Sequence, residues 1–79
     1  MPRPAYPPSA RRKNIEGVVV VSVDVQPDGH CEGARVVESS GSEALDEAAL
    51  GAVRRWRYEA RPGGAPDTRR VRFVFKLQY

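Results

Sequence analysis

A chain of 79 residues carrying 13 Lys and Arg against 10 Asp and Glu is one small domain, with too little interior to enclose a deep active site. Its single cysteine, Cys31, excludes an internal disulfide, and no apolar run approaches the roughly 18 residues that a membrane span needs. Charge is unevenly divided: residues 1–51 hold 5 basic and 8 acidic groups, net −3, whereas residues 52–79 hold 8 and 2, net +6, which makes the C-terminal third the electropositive surface.

Four of the seven prolines lie in the first eight residues, MPRPAYPP, a composition that predicts an extended arm of polyproline type. Pro7 and Pro8 suit a first helical turn, and the residues that follow, SARRKN (Ser9 to Asn14), predict about two helical turns before Gly17 stops them. So short a helix does not hold alone, so Tyr6, Ala10 and Ile15 are expected to pin it to the domain. From residue 17 to 26 the chain is rich in β-branched residues, and Val19, Val21, Val23 and Val25 form an apolar row of period two. That is a strand with one fully apolar face. Pro27, Asp28 and Gly29 then offer a preset φ, a side-chain acceptor and a residue tolerant of positive φ, the order that a tight reversal requires.

The return strand, residues 30–39, changes parity between Cys31 and the pair Ala34 and Val36. One extra residue at Gly33, a β-bulge, repairs the alternation. In residues 42–58, Leu45, Ala48, Ala49, Ala52, Val53 and Trp56 fall at i, i+3, i+4, i+7, i+8 and i+11, one stripe of an amphipathic helix. Its start is a simple cap at Ser42 or a capping box of Ser40 with Glu43. Its acidic first turn and arginine-rich end both suit the helix dipole. Gly51 lies inside this helix and off the stripe. A Pro- and Gly-rich loop follows Tyr58. Then Val71, Phe73, Phe75, Leu77 and Tyr79 alternate with Arg70, Arg72, Val74, Lys76 and Gln78, a strand with an apolar side and a mostly cationic side. Hairpin, helix and final strand close as an α+β fold: a three-stranded antiparallel sheet with one face covered by the long helix and a short N-terminal helix. Three strands leave two edges open.

Enzymatic chemistry finds little support. His30 and Cys31 are adjacent on a strand and point to opposite faces, so they do not form a base and nucleophile pair. No set of three or four metal ligands is present, and no cofactor is expected. Asp24, Asp28 and Gly29 sit at calcium-loop spacing, but Gln26 and Arg35 occupy positions that need acids, and a hairpin turn accounts for the same residues. Nucleic acid is not an expected partner. The aromatics of the last strand fall on the face opposite its arginines, so no basic stacking platform forms. The last strand is the better candidate, because an edge with free N–H and C=O groups accepts a further strand from a partner. Its charges, Arg70, Arg72 and Lys76, also serve as ordinary protection against aggregation.

With the elements in place, the succession Tyr6-Pro7, Ile15-Glu16-Gly17, Val23-Asp24-Val25, Pro27-Asp28-Gly29 and Val53-Arg54-Arg55-Trp56-Arg57-Tyr58-Glu59 resembles the C-terminal domain of the TonB family of energy transducers over nearly the whole chain. The resemblance implies residues 1–5 as the end of a proline-rich linker and 6–79 as the domain. It implies a periplasmic location, with the full-length protein anchored in the inner membrane and acted on there by ExbB and ExbD through the proton-motive force. It further implies binding to the TonB box of outer-membrane TonB-dependent transporters by strand addition, for siderophore or vitamin uptake. The binding edge maps to Arg70, Val71, Arg72, Phe73, Val74, Phe75 and Lys76, and an N-terminal arm of Arg3, Ala5, Tyr6 and Pro7 forms a second contact. The alternative is a TonB-like interaction domain of an envelope scaffold or sensor, with a homodimer through the open edges as its extreme case. In either case Trp56 is expected in the lid of the core, outside the binding site.

Overall fold

A computed structural model describes residues 3–78. Met1 and Pro2 of the expected linker, and Tyr79 at the expected end of the last strand, lie outside the described residues. The elements run α1 (Pro8–Arg12), β1 (Gly17–Val25), β2 (Cys31–Glu38), α2 (Glu43–Arg54) and β3 (Asp67–Phe75). Both pairings are antiparallel and the strand order is β2-β1-β3, so the valine-rich strand is central. Its odd valines 19, 21, 23 and 25 are all at most 2% exposed and meet Leu45, Ala49 and Val53 of α2, as alternation on one side and a helical stripe on the other require.

Ser42 is the cap of α2: its side chain accepts a hydrogen bond from the Leu45 N–H. Ser40 does something else. Its N–H and Oγ, together with Ser39 Oγ, donate to the Asp46 carboxylate at 3.0, 2.8 and 2.5 Å, which ties the end of β2 to the first turn of the helix. Burial alone would raise the Asp46 pKa, but these three donors outweigh it and hold the carboxyl below its ordinary value.

Three boundaries differ from the sequence-based expectation. The short helix ends at Arg12 and not at Asn14, because Asn14 takes a φ of 54° and its neighbour Ile15 bonds back to the Ala10 carbonyl. The long helix stops at Arg54, so Trp56 lies beyond it. The chain there turns to meet the hairpin: Arg57 bridges to His30, and the N–H groups of Tyr58 and Arg61 donate to the carbonyls of Gly29 and Pro27 at 2.9 and 2.6 Å. The last strand begins at Asp67 and ends at Phe75, which leaves Lys76 and Leu77 outside it. Phe75 pairs with Gly17, the first residue of β1, so the partner strand has no further residue to offer.

The hairpin turn is as expected. Gly29 N–H donates to the Gln26 carbonyl, the Asp28 carboxylate accepts from the His30 N–H, and Gly29 has a φ of 89°. A Cβ on Gly29 would lie 2.0 Å from the Tyr58 carbonyl oxygen. Both the backbone conformation and the close approach therefore require glycine. Gly29→Ala is expected to lower stability by about 2 to 4 kcal/mol, read as a fall in Tm of roughly 10 °C or more on thermal unfolding.

Candidate functional edge

Of the two open edges, β2 is irregular. Ser22 pairs with Arg35 and Asp24 with Glu32, which inserts one residue at the expected Gly33 bulge, where φ is 61°. A second insertion lies between the pairs Val21 with Val36 and Val20 with Glu38, leaving Val37 bulged and 43% exposed. No sequence signal marks this one, since Val36 and Val37 are both strand formers. Two bulges in eight residues bend and break the row of hydrogen-bonding groups. By contrast β3 pairs with β1 in unbroken register from Val25 with Asp67 to Gly17 with Phe75.

The direction of the free groups follows from the hairpin. Gln26 directs both its N–H, to the His30 carbonyl, and its C=O, to the Gly29 N–H, toward the return strand. Backbone groups alternate between the edges of a strand, so the odd residues of β1 face β3 and bond its odd residues. The N–H and C=O of Thr68, Arg70, Arg72 and Val74 consequently point away from the sheet. Their side chains are exposed on the face that α2 does not cover, whereas Phe73 and Phe75 are buried on the opposite face, against Trp56 and Tyr6.

Beside this edge runs an open groove of about 520 Å³, lined by the arm residues Arg3, Pro4 and Tyr6, by Trp56 and by residues 71–76. It brings together most of the expected edge set and half of the expected arm. Val71, Arg72, Phe73, Val74, Phe75 and Lys76 line it with Arg3 and Tyr6, while Arg70, Ala5 and Pro7 do not. Ala5 instead borders a smaller depression against α2, beside Gly51, where a Cβ would meet nothing within 4 Å. Tyr6 stacks edge-on against Phe75 at 5.6 Å, donates its hydroxyl to the Ile15 carbonyl and lies under the Arg11 guanidinium. Trp56 packs edge-on against Phe73 at 5.4 Å and is half-buried. Trp56 is therefore not only a core lid: leaving the helix has put it in the wall of the groove. Its spacing continues the helical stripe, so periodicity places it on the helix, and only the pairing of residues 57–61 with the distant hairpin turn moves it.

The remaining titratable groups stand apart from the groove. Burial raises the Cys31 thiol, against the opposing pull of the Arg57 guanidinium; burial, then Cys31, raises Tyr58, which carries Arg69 over its ring at 5.1 Å. His30 contacts Arg57 and lies 3.7 Å from Glu32 on the surface. Among the described residues no group of three or more His, Cys, Asp and Glu is placed to hold a metal, and no helix is long and apolar enough to cross a membrane. An edge of this kind can do recognition: backbone hydrogen bonds from alternate residues, and side-chain selection on its two faces.

Residues 2–77 match the family described as Gram-negative bacterial TonB protein C-terminal. The chain is 45% identical over 60 residues to Protein TonB of Neisseria gonorrhoeae, covering 76% of this chain and 21% of that protein. It is 43% identical over 74 residues to Protein TonB of Haemophilus influenzae, covering 92% and 27%. The chain thus spans between a fifth and a third of the length of these relatives. The fold superposes on the solution NMR structure of the Pseudomonas aeruginosa TonB C-terminal domain with a TM-score of 0.87 at 33% identity, covering 100% of this chain and 83% of that one. For residues 194–285 of the Helicobacter pylori TonB C-terminal domain the TM-score is 0.76 at 27% identity, covering 96% and 83%.

Proposed function

The chain belongs to the Gram-negative TonB C-terminal family, which is non-enzymatic, and from that membership we propose that it grips the TonB box of outer-membrane transporters by strand addition to β3. The observation that supports this reading is the contrast between the edges: one broken by two bulges, the other regular over nine residues and flanked by an aromatic-walled groove. The added strand bonds the outward groups of Arg70, Arg72 and Val74. The arm of Arg3, Ala5, Tyr6 and Pro7 forms the second contact, and residues 1–5 end the linker, of which Arg3 and Pro4 border the groove. In this reading the domain works in the periplasm. The full-length protein is anchored in the inner membrane, where ExbB and ExbD couple it to the proton-motive force, and the transporters served take up siderophores or vitamins.

The mechanism is mechanical. A pull along paired strands loads their hydrogen bonds together, so a short ladder passes force to the transporter before it parts. Pairing about six residues gains roughly 1 kcal/mol net per hydrogen bond, against about 1 to 2 kcal/mol per residue for ordering the peptide. Side-chain contacts in the groove must supply the margin, and the complex is accordingly transient. Titration with a TonB-box peptide, followed by backbone amide shifts, is expected to perturb residues 68–76 and the indole of Trp56. Shifts confined to β2, or none, would reject the reading.

A further inference from the structure

The open face of β3 is richer in cations than its neighbours in the sheet can use. Across the ladder Arg70 pairs with Ser22, Arg72 with Val20 and Val74 with Val18, so the central strand sets no charge opposite either arginine. Neither guanidinium has a salt-bridge or hydrogen-bond partner among the described residues. The acid on that face of β1, Asp24, is already engaged, accepting from Thr68 Oγ1 at 3.0 Å and lying 4.0 Å from Arg35. Elsewhere arginines do find company: Arg69 with Asp67 and the Tyr58 ring, Arg57 with His30. Arg70 and Arg72 stand two residues apart on one face, about 7 Å along the strand, with like charges that repel.

On the side of the sheet covered by α2, the same edge presents the opposite chemistry, the groove wall of Trp56, Phe73 and Tyr6. A strand added to β3 must satisfy both faces in alternation. Resting on the strand-addition reading, we propose that the edge selects peptides in which two carboxylates at positions i and i+2 alternate with apolar residues at i+1 and i+3. The carboxylates lie opposite Arg70 and Arg72 on the open face, and the apolar side chains enter the groove. Positive charge placed only to discourage aggregation would be indifferent to this order; selection depends on it.

Three peptides of one length test the pattern on the whole chain: valines with carboxylates at the second and fourth positions, an isomer with the two carboxylates adjacent, and the alternating peptide with lysines in their place. Binding is read by amide shifts of β3 and by calorimetry. The alternating acidic peptide is expected to bind about 3- to 10-fold more tightly than its isomer at low salt, with the difference shrinking as salt is added. The double variant Arg70→Glu with Arg72→Glu, both exposed and so expected to fold, should prefer the lysine peptide instead. Equal affinity for the two acidic isomers, or an unchanged preference in the double variant, with β3 amides still shifting, overturns the selection and leaves strand addition standing. No β3 shift with any of the peptides or with a TonB-box peptide rejects strand addition itself.

Discussion

Val74→Pro is expected to leave a folded domain that binds TonB-box peptide at least about 10-fold more weakly. Val74 is 58% exposed, its side chain packs against nothing that matters to the core, and its N–H points to the free edge and not to β1. Proline is tolerated on an edge strand in that orientation. It removes one donor to the incoming strand, and its ring blocks the close approach that the neighbouring hydrogen bonds need. Phe73→Pro, one residue away, is the contrasting case: its N–H faces β1 and the residue is only 9% exposed in the core, so that variant should unfold. Circular dichroism separates the two, and calorimetry with the peptide reads the binding. Undiminished affinity in a folded Val74→Pro would show that the peptide does not use this edge.

The second large effect separates scaffold from site. Leu45 is 0% exposed at the start of the helix stripe, and Leu45→Ala should cost about 2 to 5 kcal/mol. A domain of this size has only about 5 to 10 kcal/mol in all, so its Tm should fall by 10 °C or more. Trp56 is half-buried and packs on Phe73 at the groove. Trp56→Ala should cost less stability, about 1 to 2 kcal/mol, and weaken peptide binding by about 10-fold. The two variants should thus rank in opposite order in a thermal melt and in a peptide titration at a temperature where both remain folded. A Trp56→Ala that binds normally would return Trp56 to a purely structural role.

What the sequence disclosed was what local chemistry decides. Alternating valines specify β1, the spacing from Leu45 to Val53 specifies the helix face, and Pro27-Asp28-Gly29 with Gly33 announce the turn and the first bulge, because proline and glycine restrict or release φ. The regular β3 and its exposed arginines were legible for the same reason. Residues set by distant partners were not. Nothing near Arg55 stops a helix; the stop comes from Arg57 and Tyr58 pairing with a hairpin turn some 28 residues earlier in the chain, as the pairs Arg57 with His30 and Tyr58 with Gly29 place it. A period-two pattern has no end of its own, so alternation carries β3 past Phe75 to Lys76 and Leu77, whereas its partner runs out at Gly17. The groove unites Arg3 and Tyr6 with Trp56 and Phe73, segments that only the folded sheet brings side by side.

The two bulges of β2 also set how many partners the domain can take. Sheets with two regular edges polymerise, because each addition renews the site it uses. With one edge spoiled, this sheet keeps β3 as its regular edge, and pairing between copies cannot propagate through β2. Two copies joined through β3 would present only bulged edges outward, a closed pair that cannot also hold a peptide. In the strand-addition reading, self-pairing and peptide binding would compete for one place, and a rise in domain concentration would then inhibit the domain's own engagement.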